Sequence, residues 1–190
     1  MANIFIINAH HYYPCAQGKL NKTLVEIATE VLRKSGHIIN TTHVDNDWDI
    51  EEELEKHKWS DIVLLQSPVY WMMVPWMFKK YMDEVYSAGM RGILCKGDGR
   101  DKHKYGEGGT MQSKKYMFSL TFNAPEECFD DPNEYLFQGK NVDDLWFPMH
   151  ANFRFFGMVP LPTFACFDVI KNTNVKKDIE RFKIHLNNNI

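Results

Sequence analysis

This chain of 190 residues has no C-x-x-C pair and no cysteine and histidine spacing of a structural zinc site. Its four cysteines, Cys15, Cys95, Cys128 and Cys166, are scattered, which argues against a disulfide framework and fits reduced thiols in a cytosol. Neither GxGxxG nor GxxxxGK[ST] occurs, so neither nicotinamide-Rossmann nor P-loop chemistry is supported. There is no GxSxG and no pair of carboxylates in a ligand loop, so a hydrolytic triad is not expected. Long apolar runs are absent too. Only four apolar residues stand in a row before Asn8, too few for a signal peptide or a membrane span, and a cytoplasmic location is expected.

Charge of one sign is also missing. With 22 basic and 25 acidic residues the formal net charge is -3, which argues against a general nucleic-acid binder. The one basic stretch, KGDGRDKHK, carries two Asp and reads as a solvated loop. No repeat and no Ser/Gly-rich linker divides the chain, so one domain over residues 1–190 is expected.

What is present is an alternation of short apolar runs and helical patterns. Ile4 to Ile7 has no polar alternation, the mark of a strand covered on both faces. LNKTLVEIATEVLRKSG follows with Leu24, Ile27, Ala28, Val31 and Leu32 at helical spacing. HIINTTHV, DIVLLQS, KKYMFSLTF and the proline-interrupted MVPLPTFACFDVI read as four further strands. Between them lie an acidic helix from Asp49, with Glu52 as capping partner, and a helix from Pro75 with Phe78, Met82 and Val85 on one face. Val175, Ile179, Phe182 and Leu186 share one face of a last helix. This order specifies an α/β fold with a doubly wound, five-stranded parallel sheet and helices on both faces.

In such sheets ligands lie beyond the carboxyl ends of the strands, so three loops should meet there. The first, NAHHYYPCAQGKLNKT, leads into a helix N-terminus, where free N–H groups favour an anion such as a phosphate. Gly18 allows close approach, and His10, Lys19, Asn21, Lys22 and Thr23 can donate hydrogen bonds; His10 and His11 read equally as loop histidines facing water. The second, SPVYWMMVP, sets Val69, Tyr70, Trp71 and Met72 between Pro68 and Pro75. It suits either one face of a flat tricyclic ring or a hydrophobic packing patch. The third, TFNAP, offers Thr121, Asn123 and backbone donors for the polar edge of such a ring.

The stretches INAHHYYPCAQGKLNKTL, WSDIVLLQSPVYWMMVPWMFKKYMDEV, KYGEGGTMQSKKYMFSLTFNAP and FFGMVPLPTF resemble the flavodoxin-like NAD(P)H:quinone oxidoreductases, and within them the bacterial modulator of drug activity B group. The resemblance spans nearly the whole chain. It implies a homodimer that binds FAD, takes a hydride from NADPH or NADH and reduces quinones by two electrons in a ping-pong cycle, with a protective role in oxidative stress. By position, Ala16, Gln17, Gly18, Lys19, Leu20, Asn21, Lys22 and Thr23 would hold the phosphate and adenosine side of FAD, joined by His10. Pro68, Val69, Tyr70, Trp71 and Met72 would contact the isoalloxazine, and Thr121, Phe122, Asn123 and Ala124 its polar edge. Tyr105 would be a further flavin-site residue, in a segment that can reach the site from the partner subunit.

Ala16, Gln17 and Val69 depart from residues common in that family, which puts single contacts in doubt while leaving backbone N–H groups in place. The missing T-x-T-G-N-T signature favours FAD over FMN. Tyr70, Tyr105 and His150 are the candidate proton donors to the quinone, and the segment 91–112 reads as a surface loop, of which the resemblance implies that YGEGG forms a lid or a partner-subunit wall around the flavin. An FMN azo- or nitroreductase and a non-enzymatic flavodoxin-type electron carrier are the alternatives.

Overall fold

The computed structural model describes residues 1–101 and 104–190; Lys102 and His103 of the basic stretch lie outside the described residues. Five strands form the body of a parallel sheet in the order β2-β1-β3-β4-β5, with β6 also paired to β4. They are β1 (Asn3–Asn8), β2 (Ile38–His43), β3 (Ile62–Pro68), β4 (Lys115–Thr121), β5 (Val159–Pro160) and β6 (Phe164–Cys166). The last two are one expected strand broken in the middle. Pro160 and Pro162 have no N–H to donate, so the ladder stops after Pro160 and resumes at Phe164, opposite Ser119.

Successive side chains of β1, β3 and β4 enter two separate cores, as a parallel strand buried on both faces requires. Phe5, Ile7, Val63, Leu65, Phe118 and Leu120 face one core, and Ile4, Ile6, Leu64 and Met117 the other. Helix α1 (Lys19–Lys34) and helix α7 (Val175–Asn189) cover the second face through Leu24, Ala28, Leu32, Phe182 and Leu186. The first face is covered by α2 (Ile50–Trp59), by α3 (Trp76–Tyr81), by α5 (Val142–Leu145) and by α6 (Phe147–Phe155). Val175, expected on the inner face of α7, is exposed, and Asp178 is buried beside Arg181 in its stead.

Asp49 caps α2 by accepting from the Glu52 N–H at 3.0 Å, whereas the return bond from the Glu52 side chain that would complete the expected capping box is not formed among the described residues. Pro75 precedes α3 as its cap, and the helix continues through a π-helical turn over Met82–Tyr86 into the short α4 (Ser87–Gly89). Phe78, Tyr81, Met82, Val85 and Tyr86 all fall at helical spacing and are buried together, so the two tyrosines extend the apolar face read from the sequence.

The segment 91–112 is folded back on itself, with Cys95 bridged to Gly109 and the Lys96 N–H donating to the Gly108 carbonyl at 2.8 Å. A Cβ on Gly109 would stand 2.2 Å from the backbone of Phe156, so only glycine lets this loop pack against the end of α6. Among the described residues no helix is long and apolar enough to cross a membrane.

Candidate functional site at the carboxyl edge of the sheet

The register places His43, Asn8, Gln66, Pro68, Thr121 and Cys166 along one edge of the sheet. The order β2-β1-β3 reverses direction at β1 and β3, which opens a crevice at that edge. The three loops singled out above leave from it. Buried side chains tie them together: the Gln66 amide donates to Asn21 Oδ1 at 2.8 Å, and Asn21 donates to Thr121 Oγ1 at 3.3 Å. The Val69 N–H donates to the Thr121 carbonyl at 3.0 Å. Residues one hundred positions apart are thus joined at the mouth of the crevice.

The first loop presents an open helix end. Gly18 caps α1 with φ 74° and no side-chain hydrogen bond, and the first turn carries no acidic residue. The first N–H to find a carbonyl is that of Lys22, onto Gly18, so among the described residues those of Lys19, Leu20 and Asn21 have no acceptor. Three aligned donors at the positive end of a 16-residue helix make a place for an anion. The side chains do less than expected. Asn21 is spent on the internal network, Thr23 donates back to the Lys19 carbonyl at 2.9 Å, Lys22 lies 3.8 Å from Glu26, and Leu20 packs against the core. Gln17 and Lys19 are exposed and Ala16 is half-buried. His10 is not a loose donor either: its Nε2 meets the Ala16 carbonyl at 2.9 Å and its ring lies where a Gly18 Cβ would be, 2.3 Å away. It braces the loop.

The second loop is a tight turn. The Tyr70 and Met73 backbones exchange hydrogen bonds at 2.8 and 2.9 Å, and Trp71 and Met72 between them have φ of 48° and 63°. Two successive positive φ values are usual for Asn-Gly and cost a residue with a Cβ about 1–2 kcal/mol each. Strain of this kind persists where the surroundings fix it, commonly at functional sites. The turn holds Trp71 92% exposed. Tyr70 is half-buried with its ring 5.0 Å from Tyr13, and these two line an open depression of about 940 Å³ with Trp71, Val74 and Trp76. Burial first, and then Cys15 and Tyr13, push the Tyr70 hydroxyl above its usual pKa, so it is protonated at neutral pH.

The third loop divides its residues. Thr121 and Phe122 are buried, and Phe122 stacks on Phe167 at 5.7 Å, so its side chain belongs to the core. Asn123 is exposed and Ala124 half-buried, leaving the Asn123 amide open at the rim.

Two expected site residues lie elsewhere in the chain. Tyr105 is 72% exposed, 6.0 Å from Phe155 and under the Arg100 guanidinium, ring contacts that among the described residues lie outside the three loops. His150 is buried between the Tyr116 hydroxyl at 2.8 Å and Asp143 at 3.1 Å. Tyr116 stands near the start of β4 and Thr121 at its end, about 16 Å apart at the usual rise per residue. His150 therefore faces the opposite end of the sheet, and its bond to Asp143, with Thr163, Arg154 and its own charge, holds that carboxyl below the usual range against burial. Tyr13 and Gln66 also stand at this edge, with His43 the last residue of β2 and Asp45 two residues beyond it; no motif marks them in the sequence, only position at or after a strand's end.

Comparison with known proteins agrees with this geometry. The family described as flavodoxin-like fold, Flavodoxin_2, matches residues 2–189. The chain is 41% identical over 188 residues to the NADPH:quinone oxidoreductase MdaB of Haemophilus influenzae, covering 97% of both proteins. Among solved structures, a putative quinone reductase from Klebsiella pneumoniae superposes with a TM-score of 0.78 at 20% identity, covering 98% of this chain and 83% of the other. The general stress protein 14 of Treponema denticola, solved in complex with FMN, gives 0.64 at 14% identity, covering 98% of both. The chain belongs to the Flavodoxin_2 family of flavodoxin-like fold proteins.

Proposed function

We propose that this chain is an NAD(P)H:quinone oxidoreductase that holds FAD at the carboxyl edge of its sheet and reduces quinones by two electrons in a ping-pong cycle. The observation that carries the reading is the meeting of an uncapped helix N-terminus, a strained aromatic turn and an open amide rim at one crevice. The full-length relative described above as an NADPH:quinone oxidoreductase favours the same activity. Bound flavin supplies the hydride chemistry between nicotinamide and quinone.

The residues then divide the work of binding and orienting. The N–H groups of Lys19, Leu20 and Asn21 take a phosphate, with the Gln17 and Lys19 side chains beside it. The turn Tyr70–Met73 bounds one face of a flat ring, and Trp71 sets the wall against which a second ring can stack. Asn123 and the backbone of Thr121–Ala124 hold the polar edge, where donors stabilise negative charge. Tyr70, held protonated, is the proton donor best placed at the crevice. Tyr105 enters only through a partner subunit, in a homodimer whose interface would cover the exposed Trp71, Trp76 and Tyr12.

The test is made on the purified protein. Its chromophore, released by denaturation, should run with FAD beside an FMN standard, and the protein should oxidise NADPH only when a simple quinone is present, with parallel lines in double-reciprocal plots. Light scattering should give twice the chain mass. FMN as the released cofactor would correct the FAD assignment. No flavin, and no uptake of added FAD, would contradict the reading and return the aromatic turn to a packing surface.

A further inference from the structure

Beside the crevice, at the ends of β1 and β2, stands a group of side chains that quinone reduction does not use. One ring nitrogen each from His10 and His43 and one carboxylate oxygen of Asp45 lie within 4.8 Å of one another. The two rings are nearly parallel, 6.3 Å apart. His10 Nε2 meets the Ala16 carbonyl at 2.9 Å, and His43 Nε2 meets the His10 carbonyl at 3.0 Å. A carbonyl can only accept, so each Nε2 carries the proton and each Nδ1 of the neutral ring keeps a free lone pair. No donor among the described residues is bonded to either Nδ1.

Asp45 is held just as firmly. One oxygen is in close contact with His11 Nδ1, and the other accepts the Tyr12 N–H at 2.8 Å. Imidazoles whose far nitrogen is bonded to a carbonyl, together with a carboxylate fixed by its own donors, are the arrangement that orients ligands around a metal ion. Both histidines also line an open depression of about 350 Å³, which gives an ion a way in. Lys22 on the same wall lies 3.8 Å from Glu26, which offsets its charge.

From these contacts we infer that His10, His43 and Asp45 form a binding site for a zinc-class divalent cation, with water completing four-coordination. Two imidazoles and a carboxylate suit Zn²⁺ and its Co²⁺, Ni²⁺ and Cu²⁺ neighbours, and are a poor match for Mg²⁺ or Ca²⁺, which select oxygen. Bonds of about 2.1 Å would set the donors about 3.4 Å apart, so the three side chains close in by rotation about their χ angles. The ion would fasten the β1 loop to the end of β2, next to the helix end assigned to phosphate. The inference stands apart from the quinone reading, because none of the three side chains is given a role in it and the test reads metal binding.

The experiment uses the full chain without an affinity tag, loaded with its cofactor and dialysed against a chelator. Calorimetric titration with Zn²⁺ should show one equivalent per chain, and Co²⁺ should give a visible absorption band of a low-coordinate site. His43→Ala should weaken Zn²⁺ binding by more than about a hundredfold, beyond the ten- to hundredfold expected for losing an orienting partner, which is what His11→Asn should show. Circular dichroism reports whether each variant is folded; should His43→Ala unfold, Asp45→Asn, which keeps the side-chain shape, decides in its place. No equivalent of Zn²⁺, or binding that is unchanged in folded His43→Ala and Asp45→Asn, would overturn the site.

Discussion

Two polar regions of this molecule obey opposite rules. Under α2 and α3, Glu53 is fully buried and its carboxylate is closed by three donors: Thr42 Oγ1 at 2.8 Å, the Lys56 ammonium at 2.5 Å and Tyr81 OH at 2.8 Å. At the carboxyl edge, the helix N–H groups, the Asn123 amide and the aromatic turn are left open. A buried charge is tolerated only when its bonds are complete, so the first cluster can hold the fold and nothing else. The second keeps its donors free because the chain ends its strands there. Saturation separates structure from chemistry more cleanly than composition does, since both regions contain tyrosine, amide or hydroxyl, and lysine.

The comparison breaks most visibly if the closed cluster is opened. Glu53→Ala leaves the buried Tyr81 hydroxyl and the half-buried Lys56 ammonium without their acceptor and should cost about 3–4 kcal/mol in urea unfolding. The folded fraction should bind flavin as the parent does. A selective loss of flavin would mean that the two regions are not separate.

Next in size is the acid limb. His57 sits at the back of the same cluster, fully buried, and burial first, then Lys114 and Lys56, lower its pKa from 6.5 to about 3. The unfolded chain binds a proton there that the folded chain refuses. Stability from this group is therefore complete above pH 6.5 and is lost as pH falls toward 3, by about 1.4 kcal/mol per pH unit. Unfolding free energies measured between pH 7 and 4 should show that slope, and His57→Gln should flatten it.

The turn offers a gain instead of a loss. Replacing the pair by Trp71→Asn with Met72→Gly, residues that adopt positive φ readily, should stabilise the fold by about 1–2 kcal/mol in thermal unfolding. Quinone turnover should fall in the same protein, because the wall of the ring site is gone. Stabilisation with unchanged turnover would remove the turn from the account. Gly18→Ala is the smallest change in atoms: its Cβ would meet the His10 ring and distort the helix end, weakening flavin binding at least about tenfold in a fluorescence titration with a loss of about 1 kcal/mol in stability.

Much of this was legible in the residues. Ile4–Ile7 and Ile62–Leu65 are apolar throughout because both faces of their strands are covered, and Asp49 marks a helix start by chemistry alone. The loops after β1, β3 and β4 could be named as neighbours because the βα order dictates where strand ends go. Other features depend on contacts that no local pattern encodes. The π-helical turn over Met82–Tyr86 has no local signature, and the buried face Trp146, Met149 and Phe153 is blurred by Phe147 and Phe155 lying outside it. The roles of Asn21 and His10 inverted for the same reason: a side chain able to bind phosphate is equally able to bind Thr121 or the Ala16 carbonyl, and packing decides. His150 was misplaced because a histidine in a helical segment gives no sign of which end of the sheet it will face.

The most direct test of the central claim is a crystal structure of the protein loaded with its flavin. The account predicts phosphate oxygens on the N–H groups of Lys19, Leu20 and Asn21, the ring against Tyr70–Met73, and its polar edge at Asn123. A flavin bound at the 91–112 segment or beside His150, with the α1 end and the aromatic turn bare, would contradict it.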